Sequence, residues 1–455
     1  MRPGFVRPTA SDRPGVAQPV PERDIPGRPW GRIWLGALAL ALALTGAWEW
    51  HWRHFGVTPG YINSNGEWAR QRRRIDHGEG RALVLIGSSR TLFDIQLPVW
   101  QRLTGERPIQ LALEGTSSLP ALEDLAADPK FTGRLLVGVT SSLFFTGGAY
   151  RADAITGAHR ESPSQRVGTW LSMHLIEPYF AFDDRDFALE TVLARQPWPV
   201  RAGTHPRISV RKLSNSDADR NTHLWSKLQT DAAYRALARR IWSQQFAGPP
   251  PPGFETPAKA AAIAQAQIER AVAAVRTLRA RGVRVVFLRP PVIGPYYAFE
   301  ERITPRAQTW DVLLRRTGEP GISFTDYPQL QGYELPEWSH LSAPEARRFT
   351  AALVPIVEEA FRDPATSLPP TGAIATRHPE SARAAPPSSV QRTGAAMPRN
   401  AGGAGHQPAV TSPRGSATAP ARHSRCPDPA AIACTATTQV DTRSRASRQG
   451  SIASQ

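Results

Sequence analysis

Two short stretches of the chain carry side chains that could together perform acyl chemistry. In the first, an apolar run at residues 84–86 ends abruptly in the Gly-Ser-Ser-Arg of residues 87–90. This pattern indicates a strand that turns into a helix, and open α/β sheets place their sites at such strand ends. The helix N–H groups there stabilise negative charge. The second stretch is the Glu-Trp-Ser-His-Leu of residues 337–341. We expect the fold to bring Ser89 and His340 together.

The side chains in these stretches are of the types that activate a serine. An imidazole takes the hydroxyl proton and later returns it to the leaving group, and a carboxylate fixes the imidazole tautomer. Glu337 lies three residues before His340, and Asp326 is an alternative acid. A non-catalytic interpretation stays open, in which Ser89 only begins a helix and His340 is an ordinary surface residue.

The rest of the chain must supply the elements that position these residues. Short apolar runs occur at residues 82–86, 109–113, 135–139, 283–288 and 322–325. Helical patterns between and after them occupy residues 92–104, 119–127, 222–246, 257–281 and 342–361. This alternation predicts an α/β fold of three layers, α/β/α, with a mostly parallel, flavodoxin-like sheet. The domain would span residues 81–363, and residues 147–260 break the rhythm as an insertion that could form a lid or substrate wall.

The N-terminal region predicts a membrane anchor. Residues 1–29 are rich in Pro, Arg and Gly and are expected to be a disordered cytoplasmic leader, whereas residues 33–48 carry no charge and are flanked by tryptophans. We therefore predict a transmembrane anchor over residues 30–52, with the domain outside. A cleaved signal peptide and a buried core helix are the alternatives. Residues 53–80 are expected to be a juxtamembrane connector with solvated arginines.

The C-terminal region predicts disorder. Residues 364–455 contain no aromatic residue and could not offset the entropy of ordering. The net charge of +16 is concentrated at the two ends of the chain, with ten arginines against three acidic residues in this tail. We therefore expect no nucleic-acid partner. The two cysteines, Cys426 and Cys434, lie in the tail, so the core has no thiol nucleophile and no Cys-based metal site.

The motifs together resemble a known family. The Gly-Ser-Ser turn ending in Ser89, Gly115 after the second strand, and the Glu-x-x-His ending in His340 resemble the SGNH (GDSL-like) hydrolases. The Gly-Ser-Ser variant is similar to the membrane-anchored envelope branch involved in alanylation or O-acetylation of cell-wall polymers and exopolysaccharides. The resemblance covers residues 81–140 and 283–361.

The resemblance implies a role for each matching residue. Ser89 would be the nucleophile, His340 the general base, and Glu337 would stand where the family has Asp. The N–H groups of Ser89 and Gly115 would form an oxyanion hole. The family's third block adds an Asn side chain, but this strand end has none, and Thr140 or Ser141 would have to donate instead. Loss of one such donor typically lowers the rate by about 10²–10³.

These expectations lead to two hypotheses for the domain, and to a third in which the basic tail, residues 364–455, binds an anionic envelope polymer. Arg90 and Arg289 follow strand ends and could hold an anionic substrate, or could form ion pairs. The first hypothesis is a serine acyl-ester hydrolase or O-acyl(acetyl)transferase that needs no metal or other cofactor. It would act on an acylated envelope saccharide or polymer, on the periplasmic side of a bacterial inner membrane, with other envelope acylation proteins as candidate partners. The alternative is a catalytically degenerate scaffold that binds an envelope polymer or a partner protein.

Overall fold

The computed structural model describes residues 27–194, 212–244, 246 and 253–362. The strands are β1 (Leu83–Ile86), β2 (Ile109–Gln110), β3 (Arg134–Gly138), β4 (Ser214–Ser216), β5 (Thr222–Leu224), β6 (Arg284–Arg289) and β7 (Gly321–Ser323). The α-helices are α1 (Trp30–Phe55), α2 (Asn65–Arg74), α3 (Ser89–Asp94), α4 (Leu97–Thr104), α5 (Leu119–Ala127), α6 (Ser141–Phe144), α7 (Asp153–His159), α8 (Pro163–Leu171), α9 (Leu189–Ala194), α10 (Lys227–Thr230), α11 (Ala232–Ser243), α12 (Pro257–Ala280), α13 (Gly294–Ile303), α14 (Trp310–Thr317) and α15 (Ala343–Arg362).

Five of these strands form one parallel sheet in the order β2-β1-β3-β6-β7, while β4 and β5 form a separate antiparallel hairpin. Successive strand side chains point to opposite faces of a sheet. Val84 and Ile86 accordingly pack in one buried cluster with residues of α5, α12 and α14. Leu83 and Leu85 pack in a second cluster with residues of α4 and α15. Both faces are apolar, which is why the strands are continuous apolar runs, and the predicted mixed α/β fold with a mostly parallel sheet is confirmed.

Two predicted helices have different bounds in the structure. The helix expected over residues 92–104 is two helices, α3 and α4, separated at Ile95 and Gln96. Pro98 lies in the first turn of α4, where it is tolerated, whereas inside one continuous helix it would clash with the preceding turn. The helix expected over residues 222–246 begins instead as strand β5, and its long helix α11 starts only at Ala232.

The region expected to be a connector, residues 53–80, contains helix α2, which packs into the domain. Trp68 is fully buried, and its indole N–H donates to the carbonyl of Leu111 at 2.9 Å. Arg72, expected to be solvated, is buried and ion-paired with Asp124 at 2.7 Å. The folded domain therefore begins before residue 81, because the polar composition of α2 conceals one buried face.

The N-terminal helix α1 has 26 residues and is long and apolar enough to cross a membrane. Residues 30–46 of it are exposed, so the alternative of a buried core helix does not hold. The helix continues three residues past the predicted end of the anchor. Residues 1–26 of the predicted leader lie outside the described residues, as do residues 363–455, which include the whole predicted tail and both cysteines.

The buried Glu67 of α2 should make the free energy of unfolding depend on pH. Burial, and then repulsion from Glu177, raises the pKa of Glu67 from 4.5 to about 9. The folded state thus holds the proton more tightly than the unfolded state, and wild-type stability should fall as pH rises through this window, by about 1.4 kcal/mol per pKa unit. Glu67→Gln resembles the protonated acid, so its stability relative to wild type should increase with pH.

Chemical unfolding of the full chain near pH 5 and near pH 8 measures this difference, and the exposed Glu190→Gln is the control. A pH-independent difference would contradict the prediction.

Candidate active site

The turn from β1 into α3 presents Ser89 at the carboxyl edge of the sheet. Ser88 precedes the helix and Ser89 is its first residue. Two glycines make this turn possible, because a Cβ on Gly87 or on Gly138 would overlap the hydroxyl of Thr91. Ser89 is half-buried, unlike its neighbours Ser88 and Arg90, which are buried.

The loop before α15 brings His340 to this serine. The His340 Nε2 atom lies 2.8 Å from Ser89 Oγ. Phe93 packs its ring against the imidazole, with centroids 4.7 Å apart. Asp94 accepts a hydrogen bond from the Leu341 N–H at 2.9 Å. Helix α3 therefore carries the serine at its first residue and holds the histidine loop at its last, which fixes the spacing between the two side chains.

Glu337 lies directly behind the imidazole and is fully buried. Its Oε1 atom accepts from His340 Nδ1 at 2.7 Å and from the His340 backbone N–H at 2.7 Å. Its Oε2 atom accepts from the indole N–H of Trp242 at 2.5 Å. Since a carboxylate only accepts, the Nδ1 atom carries the proton and Nε2 is left to accept the Ser89 hydroxyl proton. The extra methylene of Glu, relative to Asp, is accommodated.

The alternative acid, Asp326, lies elsewhere. Its carboxylate is exposed and accepts two hydrogen bonds from the Arg306 guanidinium, at 2.5 and 2.7 Å. It is therefore engaged in a surface ion pair, and the described residues place Glu337 alone behind His340.

One of the two residues between Glu337 and His340 has a strained backbone. Trp338 has φ +74°, a left-handed conformation that bulky residues rarely adopt. Its carbonyl accepts from the Ile293 N–H at 3.0 Å, and the Arg239 guanidinium lies 5.3 Å from its ring centroid. Such strain persists only where surrounding contacts impose it.

Gly115 lies at the same edge of the sheet as Ser89. Two residues earlier, the Leu113 N–H donates to the Gly87 carbonyl at 2.8 Å, which holds this loop against the Ser89 turn. Gly115 has φ +61°, and a Cβ there would lie 2.8 Å from the Tyr150 ring. Neither the Ser89 N–H nor the Gly115 N–H has an acceptor within the described parts of the chain. Both are thus available to a negatively charged oxygen.

The structure places Thr140 against Ser88 rather than against Ser89. The two hydroxyls, Thr140 Oγ1 and Ser88 Oγ, are hydrogen-bonded to each other in buried surroundings. The Thr140 proton is free for an oxyanion only when Ser88 is the donor of this pair. The predicted third donor of the oxyanion hole is therefore already partly engaged.

The two arginines proposed for substrate binding are buried ion pairs. Arg90 donates to Glu300 at 3.0 Å and to the Ser339 hydroxyl at 3.1 Å. Arg289 donates to Glu301. Each arginine is only 1% exposed, so neither faces a substrate in solution. The ion-pair alternative therefore holds for both.

Sequence reasoning missed two residues that hold the site together. Asp94 ends the helix that Ser89 begins, yet nothing in its local pattern marked it as the anchor of the histidine loop. Trp242 lies within the insertion, on α11, whose periodicity does not suggest a site. The insertion therefore contributes a direct contact to Glu337.

Trp242→Phe should lower kcat by about 10- to 100-fold, since a hydrogen bond to a charged group contributes about 1.5–3 kcal/mol. The change removes the N–H that Glu337 Oε2 accepts and keeps most of the ring. Trp310→Phe is the matched control, because the buried Trp310 indole N–H has no hydrogen-bond partner among the described residues. Ester hydrolysis measures kcat and KM separately. An unchanged kcat in Trp242→Phe, or an equal loss in the control, would contradict a positioning role.

The arrangement can transfer a proton from Ser89 through His340 while Glu337 holds the imidazole. Within the described residues, no group of three or more His, Cys, Asp or Glu side chains is placed to hold a metal ion. Comparison with protein-family models gave no match. Comparison with curated protein sequences likewise found no significant match.

Proposed function

We propose that this chain is a membrane-anchored serine acyl-ester hydrolase or O-acyl transferase. The observation that carries the proposal is the continuous hydrogen-bonded series from Ser89 Oγ to His340 Nε2, at 2.8 Å, and from His340 Nδ1 to Glu337 Oε1, at 2.7 Å. These distances suit a nucleophile, a general base and an orienting acid.

The proposed reaction has two steps. Ser89 Oγ attacks the acyl carbonyl carbon while its proton passes to His340 Nε2, and the N–H groups of Ser89 and Gly115 stabilise the oxyanion. The C–O bond to the leaving alcohol breaks, and His340 returns the proton to that alcohol. Water or an acceptor hydroxyl then attacks the acyl-Ser89 ester with proton transfer through His340, which releases an acid or a new ester.

The substrate class and location are part of the proposal. The likeness of the Ser89, Gly115 and His340 motifs to SGNH hydrolases supports a three-layer arrangement and an acetyl group on an envelope saccharide or polymer. Helix α1 is apolar enough to span a membrane, and the arginines that precede it support a bacterial inner-membrane protein with a periplasmic domain.

One observation favours the scaffold alternative. The chain has no Asn in the third block, and the Thr140 hydroxyl that stands there is bonded to Ser88. A site weakened in this way could bind an envelope polymer or partner protein without turnover.

Labelling with a fluorophosphonate probe separates the two functions. The full chain in detergent micelles should form a covalent adduct that mass mapping places on Ser89, because only an activated serine attacks the probe at a useful rate. The adduct should be absent in Ser89→Ala and strongly reduced in His340→Ala. The exposed His159→Ala is the matched control and should label like wild type. Absence of an adduct on folded wild-type protein would overturn the enzyme proposal in favour of the scaffold.

A further inference from the structure

An exposed apolar surface lies within the insertion. We define the apolar patch as six residues that are each at least 41% exposed: Val167, Trp170, Leu171, Leu175, Tyr179 and Leu189. Helices α8 and α9, which contribute to it, contain no buried residue. Six large apolar side chains exposed within residues 167–189 are unusual for a domain surrounded by water, and they mark a contact surface.

The apolar residues of α8 and the turn after it lie along one face. Val167, Leu171 and Leu175 are spaced by four residues, so they project from the same side. The opposite side packs into the domain. Thr169 lies so close to Gly66 that a Cβ on Gly66 would overlap the Thr169 side chain, and Met173 is buried. The segment therefore has one face in the protein and one apolar face turned outwards.

The patch adjoins the point where α1 leaves the domain. The Glu49 carboxylate of α1 accepts from the backbone N–H groups of Ala181 and Phe182, both at 2.9 Å. Trp52 is buried, and its ring centroid lies 4.6 Å from that of Phe187. Residues that directly follow Tyr179 and precede Leu189 thus surround the last turns of α1.

Helix α1 is short enough to place the apolar patch at the bilayer surface. Its charge-free segment, residues 33–48, spans about 24 Å at 1.5 Å per residue, which is less than the hydrocarbon thickness of about 30 Å. Glu49 is the first charged residue after it and is already bonded to the domain. Arg53, one turn later, donates to the Tyr179 carbonyl at 2.7 Å. No spacer therefore separates the bilayer from the patch.

We propose that the apolar patch inserts into the interfacial layer of the same bilayer that α1 crosses, so that the partner of this surface is lipid. Tryptophan and tyrosine, both present in the patch, favour that layer. The inference rests on the proposed membrane anchoring. It has a consequence for the site, because Phe93 belongs to the buried cluster of Trp52 and Phe187 and also packs on His340. The lipid contact thereby sets the height of the site above the membrane.

Spin labels on the full chain in phosphatidylethanolamine–phosphatidylglycerol vesicles test the proposal. With Cys426 and Cys434 replaced by serine, single labels are introduced through Leu175→Cys and Leu189→Cys. Leu103→Cys is the matched control, since Leu103 is 55% exposed, like Leu189 at 56%, but lies on α4. Power saturation compares collisions with lipid-soluble oxygen and with a water-soluble nickel chelate. The ratio of oxygen to nickel collisions should be about five-fold or more higher for the patch labels than for the Leu103 label. The reason is that amphipathic surfaces bury their apolar side chains roughly 5–10 Å into the interface, where oxygen is enriched and the nickel chelate is excluded.

A label at Leu42→Cys, within α1, tests the membrane anchor separately from the lipid contact of the apolar patch. Oxygen access at Leu42 together with patch labels that behave like Leu103 would overturn the lipid contact and leave the anchor intact. Nickel access at Leu42 would overturn both. Patch labels shielded from both reagents would show a protein contact, such as a second copy of the chain, and would also overturn the proposal. Fluorophosphonate labelling of Ser89 in the same vesicles reports the catalytic proposal separately.

Discussion

Ser89→Ala should lose acyl-ester hydrolysis, with kcat falling by about 10⁴–10⁶-fold, as expected when a serine nucleophile is removed from a working triad. The imidazole would then have no hydroxyl to deprotonate, and no acyl-enzyme could form. Within the described part of the chain, the Ser89 hydroxyl has one hydrogen-bond partner, His340. The free energy of unfolding should therefore change by no more than about 0.5–1.5 kcal/mol. Hydrolysis of 4-nitrophenyl acetate and thermal unfolding of the full chain measure the two quantities.

The exposed Ser164→Ala, on α8, is the control for this variant and should keep wild-type turnover. Some rate above that in water should persist in Ser89→Ala, since oxyanion stabilisation and binding alone contribute about 10³–10⁴ in serine hydrolases. A folded Ser89→Ala protein with full turnover would rule out Ser89 as the nucleophile.

Glu337→Gln should lower kcat by about 10³–10⁴-fold with little change in KM. Three N–H groups converge on the Glu337 carboxylate, two from His340 and one from Trp242. A glutamine has one oxygen and one NH₂ group, so its NH₂ would face at least one of these donors. With the NH₂ group at the Oε1 position, the imidazole would lose its orientation or adopt the tautomer that cannot accept the Ser89 proton. With the NH₂ group at the Oε2 position, the negative charge that stabilises the imidazolium during catalysis would still be lost. The buried unpaired N–H should also destabilise the fold by about 1–3 kcal/mol.

Asp326→Asn is the matched control, because Asp326 is the other acid that the sequence offers to His340. Its partner in the structure is Arg306, so the amide should keep wild-type kcat. Steady-state hydrolysis and the second-order rate constant of fluorophosphonate labelling measure both variants. A large loss in Asp326→Asn with normal turnover in Glu337→Gln would reverse the assignment of the acid.

The sequence by itself determined the parallel sheet, the Ser89 turn and the apolar helix α1. These features are local: a strand buried on both faces is a continuous apolar run, a glycine before a helix start exposes the next side chains, and a charge-free segment is visible from composition. The motif that ends in His340 was also local, because its acid and base lie three residues apart. The sequence pattern did not predict the polar helix α2, because the buried face of this helix contains few apolar residues, of which Trp68 is one.

Only the tertiary structure decided which partners the site residues have. Arg90 and Glu300 are 210 positions apart, and only their ion pair decides between an arginine that could hold a substrate and one that is a buried support. Trp242 reaches Glu337 across 95 positions from an insertion without a recognisable pattern. The physical reason is that periodicity and turns record each element's own conformation. A hydrogen bond between distant side chains depends instead on how those elements pack, which no local window of the chain contains.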